Sequence, residues 1–406
     1  MNVTSLPRSQ RWMLVGIFIL ILLALSVAFH EVTRGNNFGN DYYIYYVGGR
    51  TLLLEGKNPY SDEVAQTAQM AVYKHLAQPG EDQVGFAYPL YALLPILPLI
   101  LLPYDWSQAI WLSLNILLLV SAFALLYPRA PKGLIFSFLA FYPVFFGFLL
   151  GNFAIIITVI LFCTWALVTR VETTGWMAQA GLGLALAWAT VKPQFAWLFI
   201  IVILLAALRR RQWVFLLGFG VGLFGWLGVA FLWMPDWLSA WVARVALYTQ
   251  YNQTWLTLLF FLKQFLPEAV AVALTVGLTA LIVLLTIVLV RRWWFGKIKE
   301  IDLLAWCGVV VFLLHPKGVA YEQIPFLIPV AIWMFAQTAP STKMRVFWWV
   351  LLASSWLGFG LVRFVGVPVA MLELSFGVVA AWLLQRWWMQ WIGSGAKSPE
   401  KVVASH

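Results

Sequence analysis

A few polar and ionisable residues interrupt an otherwise apolar chain, and their types define the chemistry available to it. They include the carboxylate of Asp41, the imidazole of His315 and the cations Lys192, Lys317 and Arg363. Ionisable groups at membrane depth are costly and are usually functional. A carboxylate can accept a proton from an attacking hydroxyl group, and cations can neutralise a phosphate leaving group. These residue types therefore fit a reaction on a phosphate-linked substrate, with one carboxylate in the site.

The main candidate residues each have a structural interpretation as well. Asp41 starts an aromatic segment and is equally suited to capping an interfacial helix. Lys192 is placed to snorkel to the membrane interface from a helix end, and His315 is placed to be a structural histidine. Asn152 belongs to a Gly-Asn turn and fits a cap of the next helix. Only the convergence of these residues favours function.

The remaining polar and sulfur-containing residues also leave alternatives open. Arg363 is suited to a structural ion pair with Glu373, and Asn252 begins an Asn-x-Thr triplet of the glycosylation type. Cys163 and Cys307 both fall inside predicted helices without neighbouring metal-binding residues. We expect neither a disulfide nor a metal site from them.

The composition predicts the elements that must position these residues. Of 406 residues, 63% are hydrophobic and only 10% are charged, whereas about 25% of the residues of a soluble domain are charged. Apolar runs alternate with short polar breaks, and the run length suits a ~30 Å hydrocarbon core. The longest interruption, 30–87, is too short for a separate soluble domain. The chain is therefore predicted to be an all-α polytopic membrane protein.

The formal net charge of +10 sets the predicted orientation. Its basic residues sit in short loops beside apolar runs, so they are topology signals rather than a nucleic-acid surface. With these clusters in the cytoplasm, about twelve helices cross the membrane and both termini are cytoplasmic. The first helix follows Arg8 and Arg11 and lacks a cleavage site, so we expect it to be retained. The predicted spans are 12–29, 105–127, 133–150, 152–169, 175–191, 193–208, 213–233, 268–290, 301–314, 322–337, 346–362 and 367–388.

Two further apolar segments, 89–102 and 254–266, are short. If they also crossed the membrane, the basic clusters would no longer all lie on the cytoplasmic side. We interpret the two segments as interfacial or re-entrant helices on the external side, where broken backbone must be covered by protein or line a cavity. Residues 1–388 are then one transmembrane domain, in which 30–104 is the first external loop with interfacial helices. Residues 389–406 form a cytoplasmic tail. The predicted location is the cell (plasma or inner) membrane.

The same topology brings the polar residues to one face. All of the candidates named above lie at the ends of predicted spans on the external or periplasmic side, although the orientation was set by Lys and Arg in other loops. A transporter or flippase would instead place its polar groups near the bilayer midplane, with access from both faces. A structural membrane subunit would need no such cluster.

Several motifs resemble those of a known family. Gly39–Tyr46, followed by Gly56-Lys57-Asn58-Pro59-Tyr60, resembles the first external loop of glycosyltransferase family 87, which belongs to the GT-C membrane glycosyltransferases. The resemblance covers roughly 10 to 335 in order, and the last two predicted helices carry no matching signature. Leu90 replaces a common second proline, and the Gly151 turn is shorter than the family's. The further matching segments are Tyr88-Pro89, Gly151-Asn152-Phe153, Lys192-Pro193-Gln194, Asn252-Gln253-Thr254 and His315-Pro316 with Tyr321.

The resemblance implies a GT-C fold and a transfer reaction. A sugar, mannose or a pentofuranose, moves from a polyprenyl-phosphate donor to a lipid or glycan acceptor on the external face, with inversion. The implied general base is Asp41, and neither a nucleotide sugar nor a metal or other cofactor is needed. A ligase for larger lipid-linked glycans is the enzymatic alternative. The expected partners are the lipid-linked donor, the acceptor and membrane lipids.

The resemblance also suggests roles for individual side chains. Lys192 would meet the donor phosphate with Lys317 or Arg363 in support, and His315 would bind the phosphate or a sugar hydroxyl. Gln194 and Asn252 would contribute to donor binding. The candidates for the aromatic walls of the sugar cavity are Tyr42, Tyr45, Tyr88 and Tyr321.

Overall fold

The computed structural model describes residues 7–78, 81–169, 175–252, 256–316, 319–335, 340–366 and 374–395. Within these ranges the chain is helical, and its one extended pairing is an isolated antiparallel bridge between Leu256 and Pro316. The prediction of an all-α membrane protein is confirmed at this level.

In the described ranges, eighteen α-helices are numbered in chain order, and some of them continue into a 3₁₀ or π turn. In the first half they are α1 (Arg8–Thr33), α2 (Asn40–Glu55), α3 (Asp62–Tyr73), α4 (Leu97–Ile100), α5 (Tyr104–Leu126), α6 (Lys132–Ser137), α7 (Tyr142–Leu150), α8 (Ala154–Thr169) and α9 (Trp176–Trp188). In the second half they are α10 (Pro193–Arg209), α11 (Trp213–Trp233), α12 (Trp237–Asn252), α13 (Thr257–Lys263), α14 (Glu268–Trp294), α15 (Glu300–Leu313), α16 (Leu327–Phe335), α17 (Thr342–Gly360) and α18 (Leu374–Gly395). The 3₁₀ segments are Leu90–Ile96, Phe138–Ala140, Ala189–Val191 and Ala320–Phe326, and Leu361–Val365 is π-helical.

Five of the described helices are long and apolar enough to cross a membrane. They are Trp12–Thr33, Tyr104–Leu126, Trp213–Trp233, Glu268–Trp294 and Thr342–Val365. A sixth candidate is the pair Lys132–Ala140 and Tyr142–Leu150, which is bent by 63°. The other predicted spans are largely helical where the structure describes them. Most of these helices are shorter, and α18 has 22 residues but is not among the candidates. The count of about twelve crossings therefore stays a prediction.

Large apolar side chains cover the outside of several long helices. Phe224 and Leu232 on α11 are 76% and 84% exposed, and Val276 on α14 is 66% exposed. An apolar exterior on this scale is unfavourable in water and is expected where lipid is the solvent. The exposed surface therefore agrees with the membrane assignment made from composition.

Close packing between α9 and α11 holds the helix that leads to Lys192. A Cβ atom on Gly183 would lie 2.3 Å from the carbonyl oxygen of Phe215, and one on Gly218 would lie 2.5 Å from that of Ala180. Only glycine permits this approach of the two backbones, which is a common way for membrane helices to associate.

Basic residues from several predicted cytoplasmic loops meet at one end of the molecule. Arg210 pairs with Glu300 at 2.7 Å and donates to the carbonyl of Thr169 at 2.9 Å. Arg209 donates to the carbonyl of Trp293, and Arg386 pairs with Asp302 at 2.6 Å. The loops that the charge pattern assigns to one side therefore share one end of the helix assembly.

The segment between α1 and α5 contains α2, α3 and the broken helix Leu90–Ile100. It is tied to α12, a helix of mixed composition that lies outside the predicted spans. Arg244 of α12 is buried, donates to the carbonyl of Tyr60, and pairs with Asp62 at 2.9 Å. The hydroxyl of Tyr60 in turn donates to the carbonyl of Tyr88 at 2.9 Å.

Candidate active site

The start of helix α2 positions Asp41. The buried side-chain oxygen of Gln108 accepts the N–H groups of Phe38 and Gly39 at 2.8 and 2.9 Å, which fixes the entry into the helix. Gly39 occupies the N-cap position and Asp41 lies in the first turn, where a negative charge is favourable. The capping interpretation of Asp41 is therefore not what the structure shows, because its carboxylate bonds outside its own helix.

The partner of Asp41 is Asn152, which is completely buried between α7 and α8. The Asn152 amide nitrogen donates to Oδ2 of Asp41 at 2.6 Å. Its Oδ1 accepts the N–H of Ala154 at 2.9 Å and the ammonium of Lys192 at 3.3 Å. Because Oδ1 of Asn152 accepts from two donors, its NH₂ group must be the one that faces the Asp41 carboxylate. The orientation of the amide is therefore determined. Asn152 also satisfies a backbone donor at the start of α8, as predicted.

The preceding residue, Gly151, lets the α7–α8 turn reach helix α2. Its φ of +66° lies in the left-handed region, and a Cβ atom there would be 2.7 Å from Cβ of Tyr42. The indole N–H of Trp111 donates to the Gly151 carbonyl at 2.8 Å. Both the backbone conformation and the lack of space require glycine here.

Lys192 lies where the 3₁₀ extension of α9 meets α10, and it is buried. Its Nζ is 2.7 Å from Oε1 of Glu322, which is also buried, in the 3₁₀ segment before α16. The ammonium also lies 4.5 Å from the centre of the Tyr321 ring. A buried charge pair of this kind depends on both partners, because either one alone would be an uncompensated charge.

His315 faces Oε2, the other carboxylate oxygen of Glu322. Its Nδ1 lies 2.8 Å from the Pro316 carbonyl, which can only accept, so Nδ1 carries a proton. Burial lowers the pKa of His315, which favours the neutral ring. Nε2 of His315 and Oε2 of Glu322 are then two acceptors 3.3 Å apart, and neither has a hydrogen-bond partner among the described residues. A group that donates a proton can bind between two facing acceptors of this kind.

Burial raises the pKa of Asp41 from 3.8 to about 6. The hydrogen bond from Asn152 and the charge of Lys192 lower the pKa and offset part of this rise, whereas Asp82 and Glu322 raise it further. An acid with a pKa near 6 is ionised at neutral pH and still basic enough to take a proton from a hydroxyl group.

The four candidate tyrosines occupy two different environments. Tyr42 and Tyr45 are fully buried: Tyr42 stacks on Trp111 with ring centres 5.2 Å apart, and Tyr45 stacks on Phe153 at 4.0 Å. They have no exposed surface for lining a cavity, and they hold helix α2 in place. Tyr88 and Tyr321 are partly exposed and lie close enough to Asp41 for electrostatic interaction.

Several site residues were not singled out from the sequence. Glu322 is the most important, because it makes the site one with two carboxylates instead of the single one expected. The sequence predicts Asn152 as a turn residue and a cap of α8, without a contact to Asp41. Tyr248, which donates to Asp82 at 3.0 Å beside Asp41, is not among the predicted site residues. The sequence signal for Glu322 is a carboxylate just before the apolar helix α16, and this position does not show which residue it faces.

Other predicted site residues are not part of this network. Gln194 is partly exposed beside Lys192, without a hydrogen bond to another described residue. Arg363 is exposed in the π-helical turn after α17, where its guanidinium lies 5.9 Å from the Phe364 ring. Lys317 and Glu373 lie outside the described residues, and so does the side chain of Asn252 at the end of α12. Their proposed roles stay predictions.

In the described part of the chain, no three residues of the types His, Cys, Asp and Glu are placed to share a metal ion. Cys163 and Cys307 are free thiols in α8 and α15. The polar network is instead built from hydrogen bonds and one buried ion pair.

Comparison with known protein families identifies the family of this chain. The sequence model of a family described as glycosyltransferase family 87 matches residues 86–316, which is more than half of the chain. The matched range includes Asn152, Lys192 and His315, whereas Asp41 and Glu322 lie outside it. No curated protein and no solved structure matches the chain.

Proposed function

Since the chain belongs to glycosyltransferase family 87 and is a membrane glycosyltransferase by that membership, we propose that its donor is a polyprenyl-phosphate sugar. The sugar is mannose or a pentofuranose, and the acceptor is a lipid or glycan at the external face of the cell membrane. The observation that carries the proposal is the network joining a half-buried carboxylate, Asp41, through Asn152 to the buried cation Lys192.

Asp41 acts as the general base. It takes the proton from the acceptor hydroxyl while the acceptor oxygen bonds to the anomeric carbon of the sugar. The bond between that carbon and the phosphate oxygen breaks on the opposite face, so the configuration inverts and polyprenyl phosphate leaves. A positioned base of this kind contributes about 10²–10⁴-fold to the rate. The pKa of about 6 leaves the carboxylate ionised at neutral pH.

Lys192 stabilises the phosphate that leaves. In the structure the charge of Lys192 is balanced by Glu322. A donor phosphate that contacts Lys192 neutralises part of its positive charge in place of Glu322. Because Lys192 is already buried, donor binding does not have to remove water from it. Fixed cations that face developing negative charge are a strong source of transition-state stabilisation in a site without bulk water.

His315 and Glu322 bind sugar hydroxyl groups. Within the described part of the chain no donor reaches their facing acceptors, Nε2 and Oε2, and sugar hydroxyl hydrogens supply one. A lipid-linked sugar carries several hydroxyl groups, whereas a phosphodiester has no proton to donate at neutral pH. Tyr88 and Tyr321 form the adjacent walls, because they are partly exposed beside Asp41.

The reaction uses no nucleotide and no metal in this proposal. The chain's predicted orientation puts the network on the external side, where the polyprenyl tail enters sideways from the membrane. Charge neutralisation of the leaving phosphate is assigned to Lys192, supported by Lys317 or Arg363.

The test is sugar transfer by the purified, full-length protein reconstituted in vesicles. Radiolabelled polyprenyl-phosphate mannose and polyprenyl-phosphate pentofuranose are supplied with a membrane lipid extract as acceptor, with and without EDTA. We expect a labelled product with inverted anomeric configuration from one donor, and the same yield with EDTA. Movement of intact donor across the bilayer without a product would instead indicate a flippase and reject the proposal.

A further inference from the structure

A second cavity lies at the end of the molecule opposite Asp41. It has a volume of about 410 Å³, and its walls include Lys299, Lys343, Arg386, Trp333, Phe347 and Trp382. Its position follows from α15: Asp302 in the first turn of that helix pairs with Arg386, whereas His315 of the candidate active site follows the other end. The cavity is therefore separate from the proposed catalytic network.

Three cations from three different elements converge on this cavity. Lys299 precedes α15, Lys343 lies in the first turn of α17, and Arg386 lies on α18. In the described ranges, neither lysine has an ion-pair or hydrogen-bond partner. Arg386 is bonded through Nε to the fully buried Asp302 at 2.6 Å, which leaves its two terminal nitrogens available. The cavity therefore carries an excess of positive charge.

The positions of the two lysines add to this excess. Lys299 is the N-cap of α15 and Lys343 is in the first turn of α17, and helix N-termini carry partial positive charge. Cations at these positions are unfavourable unless an anion accompanies them. The positive-inside rule accounts for the number of cations in the cytoplasmic loops. It does not explain why these three cations converge on one cavity.

The walls of the cavity are partly aromatic, and one apolar lining residue is exposed. Trp382 packs against Trp333 and Phe347 with ring centres 5.1 and 5.4 Å apart, and the Arg386 guanidinium lies 5.3 Å from the Trp382 ring. Tryptophan is typical of the headgroup level of a membrane. Met389, which lines the cavity, is 64% exposed. An anion with attached hydrocarbon chains fits this combination better than a free ion.

We propose that this cavity binds the headgroup of an anionic phospholipid from the adjoining leaflet. The phosphate contacts the terminal nitrogens of Arg386 and the two lysines, and the acyl chains run outward along the exposed apolar side of α18. Basic pockets between membrane helices with this composition suit anionic lipid headgroups. The proposal does not depend on the sugar-transfer reaction.

The test is lipid titration of the purified full-length protein in detergent, followed by native mass spectrometry. Phosphatidylglycerol is the anionic probe and phosphatidylcholine the zwitterionic one. We expect tighter binding of phosphatidylglycerol by the wild type. The double variant Lys299→Gln with Lys343→Gln should bind it roughly thirtyfold more weakly, because each cation near an anionic headgroup contributes about fivefold. Each single variant should lose about fivefold.

The matched control removes the same charge outside the cavity. Arg129 and Lys132 are exposed in the connection from α5 to the start of α6, so Arg129→Gln with Lys132→Gln should leave phosphatidylglycerol binding unchanged. Equal binding of both lipids by the wild type would overturn the proposal. So would an unchanged affinity in the Lys299/Lys343 variant, or an equal loss in the control.

Discussion

The amide of Asn152 donates a 2.6 Å hydrogen bond to the carboxylate of Asp41, a residue 111 positions earlier in the chain. The oxygen of the same amide accepts from Lys192 at 3.3 Å. Asn152 therefore holds the proposed base at a fixed position relative to the proposed phosphate-binding cation. Because an amide is neutral, it makes this link without adding charge to the site.

Asp41→Asn should abolish sugar transfer while leaving the protein folded. We expect turnover to fall by about 10²–10⁴-fold, because the amide cannot accept the proton, and donor binding to remain. Turnover and donor affinity are measured separately, by product formation and by binding of labelled donor. Asp236→Asn, at an exposed carboxylate, is the matched control and should keep full activity. Full activity of Asp41→Asn would reject the base assignment.

Asp41→Asn should also keep or increase thermal stability at neutral pH. The pKa of Asp41 is raised to about 6 in the folded protein, so the protonated form is the one that folding favours. Its stabilising contribution is complete below the unfolded pKa of 3.8 and is lost as pH rises through about 6. Removing the carboxylate therefore removes an unfavourable group above pH 6. Differential scanning fluorimetry at pH 7.5 checks this, and a large loss of melting temperature would show that Asp41 has a structural role instead.

Sugar transfer should depend on pH with an acidic limb whose midpoint is about 6, because only ionised Asp41 acts as a base. Below the midpoint kcat/KM should fall about tenfold per pH unit. Asn152→Ala removes a hydrogen bond that lowers the pKa of Asp41, so the midpoint should move to higher pH. Asn115→Ala removes another buried amide, which donates to the Trp111 carbonyl, and should leave the midpoint in place. An unshifted limb in Asn152→Ala would argue that another group is titrating.

Variants of the Lys192–Glu322 pair distinguish an effect on stability from an effect on donor binding. Lys192→Met leaves the buried Glu322 carboxylate without its cation and should destabilise the protein by about 3–5 kcal/mol. Adding Glu322→Gln should recover most of that stability, since no unpaired charge remains, but it should not recover donor affinity. Melting temperature and donor binding are measured for both variants.

A partly exposed ion pair is the control for this experiment. Glu300→Gln breaks the pair with Arg210 and should change stability by no more than about 1 kcal/mol. Recovery of donor affinity in the Lys192/Glu322 double variant would show that Lys192 serves only to pair with Glu322.

Gly151→Ala should disturb the site through the backbone. The new Cβ atom would be 2.7 Å from Cβ of Tyr42, in addition to the cost of a positive φ. Gly56→Ala is the matched control, because Gly56 has a φ of +62° and no atom near the added Cβ. We expect a cost of about 1–2 kcal/mol at Gly56 and a larger one at Gly151, together with loss of sugar transfer at Gly151 only. Equal effects would mean that the contact with Tyr42 is not needed.

The sequence identified the ionisable part of the site because such residues are conspicuous in an apolar chain. Asp41, Lys192 and His315 were all proposed, and Lys192 and His315 meet on Glu322. Glu322 is not among the predicted site residues, and Asn152 is predicted as a turn and capping residue rather than as a partner of Asp41. A buried amide or a paired carboxylate has no distinctive pattern in one sequence, since its importance depends on which residue it faces.

The composition and apolar periodicity of the chain were enough to determine that it is helical and embedded in a membrane, because lipid requires apolar exteriors and internally satisfied backbones. The ordered motifs were enough to indicate its family. The tertiary structure alone decided which helix ends meet, because apolar runs specify burial in lipid but not the neighbouring helix. Only the folded chain showed that Gly151 brings Asn152 to Asp41, that Glu322 balances Lys192, and that Tyr42 and Tyr45 serve packing rather than the cavity.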